Sequence, residues 1–595
     1  MLKSKTTGSW FRNRTEVVLI IFLGFYTLFH GGHNERFITG DGKGYYAHLP
    51  AMFIYHDWEY SFMENYESAY YEPANYAEFR NQVDGEWVNK YFAGVTLLMM
   101  PFFLLAHLVS LVYGLPADGY NPVYQYAVAF AALFWLWAGL YFLRRFFNRQ
   151  KIPAIVTSIV QVLIVCATPL FFYTVYDASF THVYSFALIA GFIYFTEKGI
   201  KSGFGMSVTI AFLALGLIIA VRPVNGLVIL SVPFIGGTGN FKPVKLIRTI
   251  PIKYLFAGFL LLLLPLFYQM ALWKAQTGNW LVWSYVGEGF NFLDPHLKQI
   301  LFSYRKGLFV YTPFLLISLF GLFVLIKQRI RDGFLFLLFL LVVSYVFSSW
   351  HSWWYGMTYG QRVFVEYLPY FAWLTAILFV GVRKSLFYLL VGISFLTMLL
   401  NFVQINQHRR YILHWSTMNK EKYRKVFLRT GTQWRGHLWR WPDGCSYGSG
   451  RILYRRDVLI STLPDPVNID ISERETKDSF ATVWKENPEH VIYKENAAND
   501  NEYNGYLSVK LMAYNTRLDY HGKIAIRFYK DKNLLYTTDE YIIRNADNKG
   551  IWQEATYCFE LKDHVKEADS FEIIALNKER KRVFIVPVEV SIIGN

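Results

Sequence analysis

The chain has little charge for its length. Only 17% of its 595 residues are Asp, Glu, Lys or Arg, where a soluble protein carries about a quarter. Cysteine is scarce too, three in all and with no Cys-x-x-Cys pair, which argues against a structural zinc site. Cys166 lies in an apolar run, whereas Cys445 and Cys558 lie in the polar C-terminal region, where a disulfide is compatible with an outside location. There is no Walker loop, no His-Glu-x-x-His and no Asp-x-Asp. A water-soluble activated donor therefore has no evident site. A lipid-linked donor needs none of these motifs, because its tail dissolves in the bilayer and only its phosphate needs cations. No solenoid-length repeat or low-complexity segment is present.

What the chain does have is apolar surface. Of its residues 54% are hydrophobic and 19% aromatic, and the apolar ones fall in runs approaching the 20 or so that a spanning helix needs. The spans predicted are 17–31, 121–142, 153–173, 179–196, 204–220, 223–237, 254–275, 307–326, 333–349, 363–382 and 385–403, about eleven helices of a polytopic membrane protein. The first follows Lys3, Lys5, Arg12 and Arg14 and has no small-residue cleavage site, so it reads as a retained helix. The net charge of +15 suggests nucleic acid at first sight. Much of it, however, sits in short loops: Arg144/Arg145/Arg149/Lys151, Lys198/Lys201, Lys242/Lys245/Arg248/Lys253, Lys327/Arg329/Arg331 and Arg383/Lys384. The positive-inside rule assigns those loops, with the N-terminus, to the cytoplasm, and no nucleic-acid partner is expected.

One apolar stretch, Ala93 to Gly114, breaks this alternation. If it spanned, every later basic loop would change side. It is therefore expected to be a re-entrant or interfacial helix pair bent near Pro101, with both ends outside and shielded by protein. The expected domains are a transmembrane catalytic part over 1–404, with an external loop and interfacial helices over 32–120, a connector over 405–454 and an extracytoplasmic β-sandwich-like domain over 455–595. The last follows from period-two stretches such as those starting at Gly522 and Arg582, separated by Asn, Asp and Gly.

The outer face then collects the chemistry. Gly40-Asp41-Gly42-Lys43-Gly44-Tyr45-Tyr46 puts a carboxylate about ten residues beyond the first span, and Asp177 follows the span that ends Val175-Tyr176. Either acid read alone is compatible with a solvated turn. Lys90, Arg222, Arg305, Lys306 and Arg362 lie on the same face against the positive-inside bias. One such cation can snorkel to headgroups, whereas several together suggest a phosphate or pyrophosphate site, for which guanidinium forks are suited. The spacing of Arg362 and Glu366 also predicts an i,i+4 ion pair within one helix. Aromatics crowd two outer loops, including Trp280, Trp283, Tyr285, Trp354 and Tyr355. Interfacial belts explain many of these, and flat rings also stack on sugars.

These residues resemble the GT-C superfamily of integral membrane glycosyltransferases, which includes protein O-mannosyltransferases and the lipid A aminoarabinose transferase. The similarity covers roughly residues 15–405. It rests on Asp41 with Tyr45-Tyr46, on Lys90-Tyr91-Phe92-Ala93-Gly94, on Asp177 after the third span, and on Trp354-Tyr355-Gly356-x-x-Tyr359-Gly360-Gln361-Arg362. Many relatives have Asp-Glu where Asp41-Gly42 stands, and Pro-Pro where Phe92-Ala93 stands, which leaves donor and acceptor subtype open. The resemblance implies that Asp41 is catalytic, that Asp177 supports the site, and that Lys90, Arg222, Arg305, Lys306 and Arg362 meet a polyprenyl phosphate. Tyr45, Tyr46, His182, Glu288, Trp354 and Tyr355 are the expected substrate-binding residues. No metal site is expected, and a divalent ion, if bound, would fall to Asp41 and Asp177. The implied reaction moves a sugar from a polyprenyl-phosphate donor to a glycan, lipid or protein acceptor at the outer (periplasmic) face of a bacterial inner membrane, with inversion. The rival readings are a transporter or flippase of lipid-linked sugars, a β-domain receptor on a membrane anchor, and an O-antigen-ligase-like enzyme. Transporters place charge inside spans, and here the spans are nearly free of it.

Overall fold

A computed structural model describes residues 14–32, 36–63, 70, 79–237, 249–356, 358–414, 418–431, 434, 452–457, 481–483, 489–496, 505–515, 523–541, 552–561, 568–576 and 583–594. Cys445 and the basic cluster Lys242/Lys245/Arg248 lie outside them. The chain forms two compact units that divide after Ile405.

The first unit is helical. Its helices are α1 (Thr15–His30), α2 (Asp41–Pro50), α3 (Gly94–Val112), α4 (Pro122–Arg149), α5 (Ala154–Cys166), α6 (Leu170–Val175), α7 (Thr181–Ser202) and α8 (Gly205–Val221). After a 3-10 segment, Pro223–Ser231, come α9 (Val232–Gly236), α10 (Ile252–Thr277), α11 (Leu297–Phe302), α12 (Leu308–Tyr311), α13 (Phe314–Gln328) and α14 (Ile330–Ser348). A second 3-10 segment, Arg362–Tyr367, leads into α15 (Leu368–Gly381), followed by α16 (Lys384–Arg409). Among the described residues six helices are long and apolar enough to cross a membrane, which makes this an integral membrane protein. Several others are shorter apolar helices.

Local chemistry sets the helix ends. Asn121 caps α4, its side chain accepting from the Val123 amide at 2.7 Å with Pro122 in the first turn. The span expected over 153–173 is interrupted between α5 and α6 at Ala167–Pro169, where the Thr168 hydroxyl bonds back to the Ile164 carbonyl at 2.6 Å. Asn401 of α16 braces that break, donating to the carbonyls of Cys166 and Thr168 at 2.9 and 3.1 Å. Glycines let backbones touch. A Cβ on Gly216 of α8 would lie 2.3 Å from the Leu262 carbonyl oxygen of α10, and one on Gly321 of α13 would lie 2.0 Å from that of Leu374 of α15.

The stretch after Ala93 is one continuous helix, α3, and not a bent pair. Pro101 removes one ladder bond, but Val95, Leu98, Met99, Phe103, Ala106 and Ser110 keep a single buried stripe across it. The helix runs antiparallel to the first half of α4. The Leu98 carbonyl accepts from Trp135 Nε1 at 3.1 Å, His107 meets the Tyr124 hydroxyl at 2.6 Å, and Ser110 accepts from Asn121 at 3.0 Å.

The second unit begins at Asn406. It contains α17 (Lys420–Val426), capped by Asn419, and an all-antiparallel pair of sheets. After the small hairpin β1 (Arg80–Val83) and β2 (Glu86–Asn89) of the first unit, the strands are β3 (Ile452–Asp457), β4 (Ala481–Val483), β5 (Glu489–Asn496), β6 (Gly505–Asn515), β7 (Lys523–Lys530), β8 (Asn533–Tyr541), β9 (Trp552–Leu561), β10 (Ser570–Leu576) and β11 (Val583–Gly594). One sheet has the order β5-β10-β7-β8. The other has the order β3-β11-β6-β9, with β4 also on β11. Leu507, Val509 and Leu511 of β6 pack with Ile524, Ile526 and Phe528 of β7 and Phe571 and Ile573 of β10 in one buried core, the pattern of two sheets sharing inner faces.

Candidate active site

The glycines around Asp41 are explained by contact. A Cβ on Gly42 would lie 1.8 Å from Ser179 Oγ, and one on Gly44 would lie 2.3 Å from the Tyr91 ring. The first turn of α2 is thereby pressed onto the turn Asp177–Phe180, which closes through the Phe180 amide to the Asp177 carbonyl at 3.0 Å. Asp41 and Asp177 belong to elements in direct contact, and Asp177 is buried at that seam.

Asp41 Oδ2 accepts from Arg362 Nη1 at 2.5 Å, and the Asp41 side chain keeps 29% of its surface exposed. Its crowded setting alone would raise the carboxyl pKa. The Arg362 guanidinium, with Tyr91 and Lys90, outweighs that effect and holds Asp41 below the ordinary carboxylate value of 3.8.

Three further cations frame this pair. The buried amine of Lys306 donates to the Gly356 carbonyl, and Gly356 also adjoins the Arg362 guanidinium, its Cβ position lying 3.7 Å from Nη2. Burial, then the charges of Arg362 and Arg305, push the Lys306 amine well below its usual pKa despite Asp41 and Asp177 nearby. The Arg305 guanidinium lies 3.7 Å over the Trp354 ring. Lys90 pairs with Glu288 at 3.1 Å and lies 5.2 Å over the Tyr91 ring.

A second cluster takes the remaining charges. Glu366 is fully buried and accepts from Arg222 at 2.8 Å, His182 at 2.9 Å, Thr181 at 3.3 Å and Asn225. The expected Arg362–Glu366 pair is therefore absent, because each residue has another partner. Residues 362–367 form a 3-10 helix, in which i and i+3, not i and i+4, share a face. Arg222 and His182 are committed to Glu366 and stand beside the Asp41 pair. Tyr355 completes this cluster, with Arg222 5.8 Å from its ring and its hydroxyl on the Phe347 carbonyl at 2.9 Å.

The adjacent tyrosines separate. Tyr45 lies against Tyr91, ring centroids 4.6 Å apart. Tyr46 points away into the core, its hydroxyl on the Gly119 carbonyl at 2.5 Å and its ring on Tyr120 and Phe103. The structure thus brings Asp41, Tyr45, Lys90, Arg305, Lys306, Trp354, Arg362 and Glu288 into one neighbourhood with Asp177, and places Tyr46 outside it. Sequence reasoning gives no role to Tyr91, whose ring packs on Tyr45 and against Gly44 of α2, and treats Glu366 only as a partner of Arg362. The signal for the first was the aromatic beside Lys90. For the second there was no local signal, since its partners come from two distant segments, 181–182 and 222–225. Among the described residues no three His, Cys, Asp or Glu side chains are placed to hold a metal ion.

No family model matches the chain, and no curated protein matches it. Solved structures do. ArnT from Cupriavidus metallidurans bound to undecaprenyl phosphate aligns over 67% of this chain at 13% identity, TM-score 0.41. Arabinosyltransferase EmbB from Mycobacterium smegmatis aligns over 99% at 9% identity, TM-score 0.38. The oligosaccharyltransferase AglB from Archaeoglobus fulgidus, in complex with an inhibitory peptide and a dolichol-phosphate, aligns over 71% at 10% identity, TM-score 0.35. The chain spans 64%, 65% and 60% of the length of those three proteins.

Proposed function

We propose that the protein is a membrane glycosyltransferase of the GT-C kind, transferring a sugar from a polyprenyl-phosphate donor to a hydroxyl or amine acceptor at the extracytoplasmic face. The observation that carries this reading is the Asp41–Arg362 pair, 2.5 Å apart and 29% open on the carboxylate side, with Lys306 and Arg305 alongside. The acceptor oxygen or nitrogen attacks the anomeric carbon, Asp41 takes its proton, and the bond from that carbon to the phosphate oxygen breaks with its electron pair going to the phosphate. Proton removal of this sort contributes roughly 10²–10⁴-fold. Arg362, Lys306, Arg305 and Lys90 stabilise the charge that builds on the phosphate, and direct displacement inverts the anomeric centre.

An ion-paired carboxylate is a weak base. A phosphate entering beside Gly356 competes for the Arg362 fork and so releases Asp41 when the donor is in place. Arg222 has no part in phosphate binding in this scheme, because Glu366 neutralises it. Mass spectrometry of lipid co-purifying with wild type and Asp41→Asn tests the proposal. A polyprenyl-phosphate sugar enriched on the variant supports it, and a transported solute with no bound lipid phosphate overturns it.

A further inference from the structure

The break between α5 and α6 deprives backbone carbonyls of their helical donors. Pro169 has no amide hydrogen to offer Val165. The Leu170 amide turns to the Thr168 hydroxyl at 3.2 Å instead of to the Cys166 carbonyl four residues back. Within a membrane such groups need a partner from the protein. Asn401 of α16 is that partner, donating to the carbonyls of Cys166 and Thr168 at 2.9 and 3.1 Å. With both amide hydrogens used there, its amide oxygen faces the Tyr359 hydroxyl at 2.9 Å, and the hydroxyl donates. Gln404, one turn on, accepts from the same hydroxyl at 3.3 Å and donates to the Val310 carbonyl at 3.3 Å. Asn401, Gln404 and Tyr359 are all buried, on a helix whose most apolar stretch is only 11% buried. A satisfied polar network of this kind rigidifies what it joins.

What it joins are the two halves of the candidate site. Tyr359 stands three residues before Arg362, and its carbonyl accepts from the Tyr173 hydroxyl of α6 at 2.9 Å, so its side chain and its backbone are both held. Gly360 turns the chain there at a φ of 62°, its Cβ position 3.1 Å from Pro169 Cγ of the break. One end of the Asn401 amide thus grips the segment that runs through α6 into the Asp177–Phe180 turn, on which Asp41 sits. The other end grips the segment that carries Gly356 and Arg362. We infer that Asn401 is a positioning residue for the Asp41–Arg362 pair, setting the Arg362 segment against the turn that seats Asp41. This rests on the reading of that pair as the reacting site. It gives a function to a side chain that would otherwise pass as packing on a lipid-facing helix.

Asn401→Leu keeps a branched side chain and removes both donors and the acceptor. Infrared titration of the full-length protein in lipid nanodiscs reads the Asp41 carboxyl band, identified by its loss in Asp41→Asn. Arg362→Met removes the partner outright and is expected to raise the midpoint by about one to three pH units. Asn401→Leu, which lets the guanidinium drift from the carboxylate, is expected to raise it by about half a unit or more, and to add nothing in the Arg362→Met background. A merely structural role predicts the same rise in both backgrounds. The other titratable groups around Asp41, namely Lys90, Lys306, Tyr45, Tyr91, Tyr173 and Tyr285, are unchanged in these variants. Tyr359→Phe cuts the link to the Arg362 segment alone and leaves the break braced, and is expected to give a smaller rise that also vanishes without Arg362. An unchanged midpoint in Asn401→Leu, or in Tyr359→Phe should Asn401→Leu fail to fold, overturns the inference, as does a rise that persists in the Arg362→Met background. If Asp41→Asn still transfers sugar while Asn401→Leu shifts the midpoint through Arg362, the base assignment fails and the positioning role stands.

Discussion

Removing Glu366 should destabilise the helical unit more than removing Glu366 and Arg222 together. Glu366 has no exposed surface, and Arg222 Nη1 lies 2.8 Å from its Oε1. At an effective dielectric of about 20 the attraction at that distance is roughly 6 kcal/mol gross. Desolvation of both ions offsets most of it. Deleting one partner is different, since it leaves an uncompensated charge, and costs about 3–5 kcal/mol. Glu366→Met is therefore expected to lose about 3–5 kcal/mol. Glu366→Met with Arg222→Met should recover a large part of that, leaving a loss of about 1–2 kcal/mol for the bonds of His182, Thr181 and Asn225. The assay is SDS titration in mixed micelles followed by circular dichroism, with both single variants and the double closing a cycle. A double variant as unstable as the sum of the singles refutes the reasoning. Arg222 would then be free for ligand, and its removal from the phosphate set would be wrong.

Three further outcomes follow from the same geometry. Asp41 titrates below its ordinary value, so its charge is retained above that value and lost only as pH falls through the lowered one; Arg362→Met should raise the acid limb of a pH–transfer profile, and an unmoved limb would contradict the pairing. His48 is pushed down to about 4 by burial, so it is neutral in the fold, and stability should fall as pH drops from 6.5 towards 4 while His48→Gln flattens that slope in thermal unfolding scans. Gly42→Ala drives a methyl into Ser179 at 1.8 Å, and overpacking of this kind costs about 1–3 kcal/mol; normal thermal stability and normal transfer in that variant would show that α2 does not sit on the Asp177–Phe180 turn.

Much of the site was legible because its signals are local. Glycines alternating with a lone acid and a Tyr pair mark close backbone contact, and Gly42 and Gly44 make it, with Ser179 and Tyr91. Basic residues opposing the charge bias marked Arg305, Lys306 and Arg362. What sequence could not assign was which cation meets which acid. Arg222 follows an apolar run and Arg362 precedes one, and only the three-dimensional position of Glu366 between Thr181, His182, Arg222 and Asn225 separates them. The i,i+4 spacing misled because the segment is 3-10. Tyr45 and Tyr46 were grouped as neighbours, although consecutive helical positions point about 100° apart. The interruption expected at Pro101 did not occur because the apolar stripe continued across it. The alternating stretches near Gly522 and Arg582 are strands β7 and β11, whose period-two pattern needs no tertiary knowledge to see.

We propose that Asp41 removes the acceptor's proton during transfer from a lipid-phosphate sugar. The most direct measurement is a single-turnover assay in proteoliposomes charged with polyprenyl-phosphate sugars extracted from the source membranes, comparing wild type with Asp41→Asn and following donor loss and product anomer. The expected result is donor consumption with inversion in the wild type, and a rate lower by about 10²-fold or more in Asp41→Asn with donor binding preserved. Consumption of donor by the variant at the wild-type rate, or a retained anomeric configuration, would contradict it.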